Sequence, residues 1–235
     1  MFRYQILIEY VGSSFIGWQV QTKGKTIQGL IQKKISYLLN EKITLIGSGR
    51  TDTGVHAIEQ SAHFDVTAKI QNLNKYEIAI LKIKRKNMKF HARFSAKERV
   101  YKYVIFNQLS KPILQNKRGW FVIKNLELEI MKKAAKKLIG THDFSTFRAS
   151  GCNAKSPIRS IKSVKIKKTK NKIELNFRSK SFLKQQVRSM VGCLKYIGEK
   201  KWSLKKFTNV IKSKNRNLCA PPAPAEGLFL KKVLY

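Results

Sequence analysis

The run Gly47-Ser48-Gly49-Arg50-Thr51-Asp52-Thr53-Gly54-Val55-His56-Ala57 sets one carboxylate beside one arginine in a glycine-bracketed loop. A carboxylate so placed can attack an electrophilic carbon, remove a proton, or cap its own turn. Aspartate is scarce here, since Asp52, Asp65 and Asp143 are the only three. The loop is not a Walker A motif, because no Gly-Lys-Ser/Thr follows its glycines, and its third glycine is misplaced for a dinucleotide fingerprint. His56 and His63 stand seven apart, which suits no usual metal-ligand spacing on one element, so no metal site is expected. On residue types alone, the catalytic and the turn-capping readings of Asp52 both stay open.

The surroundings of this acid are basic. Lysine and arginine number 49 against 13 acidic residues, for a net charge of +36. Lysine supplies 38 of the 49, so a solvated lysine coat is one account. Self-repulsion destabilises such a chain, and a counter-charged partner, RNA or DNA, is the better account. A hydrophobic fraction of 43% is ordinary for a globular protein, and no segment approaches the ~18 apolar residues of a membrane span. No membrane partner is expected. Met1 to Tyr10 alternates apolar and polar residues and reads as a strand, not a signal peptide. Cys152, Cys193 and Cys219 are scattered, odd in number and without CxxC spacing. They point to a reducing, cytoplasmic setting and away from zinc.

The elements that must position the loop fall into two halves, residues 1–106 and 107–235. In the first, Phe2, Tyr4, Ile6, Ile8 and Tyr10 alternate along a strand. Ile27, Leu30, Ile31, Ile35, Leu38 and Leu39 then share a helical face behind a Thr26 cap. Strands are expected at 42–47, 60–66, 77–85, 88–94 and 99–106, the last with Tyr101, Tyr103 and Ile105 on one face. In the second half, helices are expected at 127–139, 183–198 and 203–213, and strands at 157–167, 172–179 and 228–235. Pro221-Pro222-Ala223-Pro224 reads as a stiff connector. The economical architecture is α+β, two α/β halves with mainly antiparallel sheets flanking a central cleft.

Read together, several segments resemble the tRNA pseudouridine synthase A family over nearly the full chain. They are Phe15-Ile16-Gly17-Trp18-Gln19, Gly49 to Ala57, His63-Phe64-Asp65, Phe90-His91-Ala92-Arg93-Phe94-Ser95-Ala96 and Arg99-Val100-Tyr101-Lys102-Tyr103. In the second half come Gly140-Thr141-His142-Asp143-Phe144, Val187-Arg188-Ser189-Met190-Val191-Gly192 and Ala225-Glu226-Gly227-Leu228. The resemblance implies the pseudouridine synthase fold and isomerisation of uridine at positions 38, 39 and 40 in the tRNA anticodon arm. It implies no metal or cofactor, and a homodimer. It makes Asp52 the nucleophile, sets Tyr101 against the target uracil and pairs Arg188 with Asp52. Arg50 would hold the flipped nucleotide, and Leu228 would line the pocket.

The chemistry agrees with these roles. The reaction breaks a C–N glycosidic bond, turns the base and makes a C–C bond to the same sugar, so nothing is oxidised or added. An ionised Asp52 would be favoured by a nearby guanidinium, and the target base must leave its stack to be reached. Val11 and Lys184 to Gln186 depart from the family's usual residues, and the link between Asp65 and Glu77 is short; Asp52, Tyr101 and Arg188 stay in place. The reading from a different class is a non-catalytic RNA-binding module, to which the Arg50-Thr51-Asp52 group would be of no use and whose RNP aromatics are missing here. A glycosylase that stops after bond cleavage is a further enzymatic variant.

Overall fold

The computed structural model describes residues 1–67 and 78–235. The short link expected over 66–76, beyond its first two residues, and the first residue of the strand expected at 77–85 lie outside them. In chain order the elements are β1 (Phe2–Tyr10), α1 (Ile27–Leu39), β2 (Ile46–Gly47), β3 (His56–Val66), β4 (Ile78–Lys86), β5 (Glu98–Asn107) and β6 (Trp120–Val122). There follow α2 (Leu128–Lys136), β7 (Gly140–Asp143), β8 (Ile158–Thr169), β9 (Lys172–Ser179), α3 (Gln186–Gly198), α4 (Leu204–Lys212) and β10 (Leu228–Leu234). The chain is α+β, with mostly antiparallel strand pairing. It forms two compact units: Met1–Arg99 with Phe229–Tyr235, and Val100–Leu228. This division and the one expected after residue 106 both fall within β5.

In the first unit the strand order is β4-β1-β3-β10, with β2 also on β3. β1 is antiparallel to β3 (Ile6 opposite Ala62) and to β4 (Ile6 opposite Ile83), while β10 runs parallel to β3. The period-two pattern read in β1 is the buried face, for Tyr4, Ile6, Ile8 and Tyr10 all lie in the core. Gln5, on the other face, is buried too, and its amide donates to Ser61 Oγ at 2.9 Å. α1 begins as its sequence indicates, with Thr26 Oγ1 accepting from Gly29 N at 3.2 Å. Ile27, Ile31 and Ile35 supply its buried stripe.

Residues 88–94, expected as a strand, form turns instead. Asn87 Oδ1 accepts from Lys89 N and Asn87 O from Phe90 N. His91 Nδ1 accepts from the N–H groups of Arg93 and Phe94, and Ser95 Oγ from His91 N. These local acceptors satisfy main-chain donors that a strand would otherwise offer to a ladder. The alternation of the sequence does not reveal that competition.

In the second unit the strand order is β5-β9-β8-β7, with β6 parallel to β5. Val164 faces Phe177 and Ile166 faces Leu175 across the β8–β9 pair. Ile173, Leu175 and Phe177 are wholly buried, and so are Met190, Val191 and Leu194 of α3. α3 starts three residues later than the apolar pattern implies. Gln185 is left-handed at φ 57°, and Gln186 Oε1 accepts from Leu183 N at 2.8 Å, so Leu183 packs from a turn ahead of the helix. His142 and Asp143 finish β7. Asp143 Oδ1 then accepts from Ser145 N at 2.8 Å and opens a short 3-10 turn.

Candidate active site

The first residues of the loop between β2 and β3 are held by their neighbours. Ser48 N donates to Ser61 O at 2.8 Å, Ser48 Oγ to Gln60 Oε1 at 2.7 Å, and Gln60 Nε2 to Gly49 O at 2.9 Å. Arg99 Nη2 donates to Ser48 O at 2.6 Å and to Arg93 O at 2.9 Å. One guanidinium therefore ties the start of the loop to the turns at 88–94. The hydroxyls of Thr51 and Tyr10 share a buried hydrogen bond of 2.9 Å. Trp18 N donates to Thr51 O at 3.0 Å, which ties Trp18 to the loop.

Asp52 opens a turn closed by the main chain, with Val55 N donating to Asp52 O at 3.1 Å. Gly54, at φ 78°, holds the third position, as a type II turn requires. Asp52 itself is half-buried. The first loop of the chain presses on this turn, and a Cβ added at Gly12 would stand 2.0 Å from Val55 O. Gly12 N also donates to His56 Nδ1 at 3.1 Å, and the His56 ring stacks on Phe229 with centroids 4.7 Å apart. Arg50 is exposed, and its Nε donates to Gln19 Oε1 at 3.1 Å. Arg50 and Asp52 thus share one loop of the first unit.

Tyr101, Arg188 and Leu228 belong to the second unit. Tyr101 is half-buried on β5, and Phe182 meets its ring edge-on at 5.3 Å and 89°. Arg188 lies in the first turn of α3, where its Nε donates to Ala223 O at 2.7 Å while Ala223 N donates to Arg188 O at 3.0 Å. That pair of bonds fixes the proline connector, from which the chain runs on to Leu228, buried at the start of β10. Tyr103 underlies the same connector: its hydroxyl donates to Pro224 O at 2.8 Å. Burial pushes the Tyr103 phenol well above its ordinary range; Arg188 opposes this and Glu226 adds to it. Arg188 is therefore close to Tyr103 and anchored to main chain, not a solvated surface arginine.

The remaining candidates are structural. Asp65 takes Arg3 Nε at 2.7 Å and Nη2 at 2.6 Å, and this fork holds the Asp65 carboxyl below the usual range. Trp18, 2% exposed, packs on Gly47, and His91 organises its turn. Gln60, Arg99 and Phe182 were not legible as site-supporting residues, because each acts across sequence or at a strand end. The one hint was Arg99's place in a quoted segment. Among the described residues no group of three His, Cys, Asp or Glu side chains could hold a metal ion. No helix among them is long and apolar enough to cross a membrane.

A family model described as tRNA pseudouridine synthase matches residues 6–104 and 134–235. The chain belongs to that family. It is 64% identical to tRNA pseudouridine synthase A of Pelagibacter ubique (strain HTCC1062), covering 100% of both chains. It is 40% identical to the tRNA pseudouridine synthase A of Sinorhizobium fredii and 38% identical to that of Parvibaculum lavamentivorans, covering 99% of each chain in both cases. As a pseudouridine synthase it is an isomerase. The matched spans contain Arg50, Asp52, Tyr101, Arg188 and Leu228.

Proposed function

We propose that this pseudouridine synthase isomerises uridine at positions 38, 39 and 40 in the anticodon stem-loop of tRNA, with Asp52 as nucleophile and the target base flipped out. The observation that carries this is the setting of Asp52: a half-buried carboxylate at the head of a turn that the main chain already closes, in a loop whose flanks are hydrogen-bonded on both sides. Such a group is oriented before substrate arrives, which is what positioned attack needs.

Asp52 acts either on the base or on the sugar. When a base leaves its stack it needs an aromatic face and an apolar wall. Tyr101, braced edge-on by Phe182, offers the face, and Leu228 the wall. Arg50 holds the flipped nucleotide by its planar fork, for which an ammonium is no equivalent. No cofactor enters this scheme, because the bond broken and the bond made join the same base and sugar. The working form is a cytoplasmic homodimer, with the second copy extending the surface available to tRNA.

The test is incubation with unmodified tRNA transcripts carrying uridine at 38, 39 or 40, followed by chemical mapping of pseudouridine. Product at those positions is expected. Product confined to other parts of the tRNA would overturn the assignment of the anticodon arm, and release of free uracil would indicate a glycosylase. Tight binding without product would favour the RNA-binding module.

A further inference from the structure

Two cysteines 26 residues apart in sequence meet in the second unit, with their sulfurs 3.5 Å apart. Cys193 lies on the buried face of α3 and is wholly enclosed. Cys219, just ahead of the proline connector, is partly exposed. It lines an open surface groove of about 750 Å³ together with Tyr196, Trp202, Asn217 and Pro221. Cys219 therefore borders solvent, and Cys193 does not. Neither belongs to the chemistry assigned to Asp52.

The two thiols also differ in acidity. The contact with Cys193, with help from the Arg216 guanidinium, holds the Cys219 thiol below its ordinary range against the effect of burial. The same contact, then burial, pushes Cys193 up. The accessible sulfur is thus the better thiolate and the enclosed one keeps its proton. That is the division of labour between an attacking and a resolving thiol.

We propose that Cys219 and Cys193 form a peroxide-reactive modification site that closes to a reversible disulfide. The Cys219 thiolate attacks one oxygen of a hydroperoxide. An S–O bond forms, the O–O bond breaks, and hydroxide or alkoxide leaves, so the sulfur is oxidised by two electrons to a sulfenic acid. Cys193 sulfur then attacks that sulfur. The S–S bond forms, the S–O bond breaks, and the departing hydroxide takes the Cys193 proton as water. With hydrogen peroxide, two thiols and one peroxide give one disulfide and two waters. α3 and the connector are already joined by the two Arg188–Ala223 hydrogen bonds, and a Cβ at Gly192 would stand only 2.1 Å from Pro221 O. The disulfide requires the sulfurs to close from 3.5 Å to bonding distance. By trapping the sulfenic acid as a disulfide, Cys193 keeps Cys219 from irreversible oxidation.

The experiment treats the full-length, reduced protein with a small excess of hydrogen peroxide and maps peptides without reduction. The expected product is a Cys193–Cys219 linked peptide lacking two hydrogens, reversed by dithiothreitol and melting several degrees above the reduced protein. In Cys193→Ser and Cys193→Ala, Cys219 should stop at a sulfenic acid that dimedone traps, and go on to the sulfinic acid with more peroxide. Cys152 is the internal reference. Cys219 reacting no faster than Cys152, or reaching the sulfinic acid in the wild-type chain without the linked peptide, would overturn the proposal.

Discussion

At the scale of single residues, Asp52 and Arg50 differ in how tightly they are held. Thr51, just ahead of Asp52, is bonded to Trp18 and Tyr10 and Asp52 O closes its own turn, whereas Arg50 is exposed and reaches to Gln19. Asp52→Asn keeps the shape and removes the charge and the nucleophile. The variant should fold, bind tRNA at least as tightly, and form no detectable pseudouridine by mapping. Loss of the fold, seen as a collapsed melting transition, would return Asp52 to the role of turn cap. Asp52→Glu should fail as well, since an added methylene displaces a positioned nucleophile. Arg50→Ala should slow single-turnover isomerisation far more than it weakens binding, because one cation among 49 contributes little to total affinity. Arg50→Lys should be nearly as slow, for want of a planar fork. A variant that binds poorly but turns over bound tRNA at the normal rate would make Arg50 a phosphate contact only. The acid itself was legible in the sequence from its scarcity and its glycine frame. The Tyr10–Thr51 bond that steadies it was not, since its partners lie 41 residues apart and no local pattern encodes such a pairing.

At the scale of elements, β3 is the hinge of the first unit's chemistry, and its His63 links it to the turns that follow β4. His63 is 1% exposed, and its Nδ1 accepts from Ala92 N at 3.1 Å. Burial, then the nearby charges of Arg3 and His91, pull its pKa down to about 4, with Asp65 pulling the other way. The ring is neutral in the fold, while in the unfolded chain it takes up a proton near the ordinary value of about 6.5. Its contribution is therefore whole above about pH 6.5 and is lost as pH falls towards 4, by at most ~3 kcal/mol. Urea midpoints measured across that window should fall, and His63→Gln should flatten the fall. An equal slope in the variant would assign the acid sensitivity to other groups. Gly12→Ala should cost ~1–3 kcal/mol by overpacking, and isomerisation should drop with it, because the new methyl meets the carbonyl that ends the Asp52 turn. A thermally normal and fully active variant would show that the turn yields freely. Strand β9 and helix α1 were legible because one apolar period runs through each. The turns at 88–94 and the late start of α3 were not, because His91, Ser95 and Gln186 side chains compete with the main-chain ladder there.

At the scale of the whole molecule, the charge of +36 sets the manner of association. If the lysines track phosphates, tRNA affinity should fall by about 0.7–0.9 log units per log unit of salt for each contact released. A nearly flat titration would favour a solvated coat. Light scattering at micromolar concentration should give a dimer, and a fully active monomer would remove the second copy from the reading. Composition and the order of segments made the family legible along the length of the chain. The division into units was harder to read, because β10 joins β3 in parallel and no hairpin turn announces that pairing. This return has a bearing on biosynthesis. Residues 100–228 must leave the ribosome before the strand that completes the first unit exists. Until then His56 lacks Phe229, and Ser61 and Ala92 lack their hydrogen bonds with the Tyr235 hydroxyl. A nascent chain stalled near residue 228 would hold every residue assigned to the reaction, yet with the Asp52 loop beside an unfinished sheet, so translation through β10 is what readies the enzyme for tRNA.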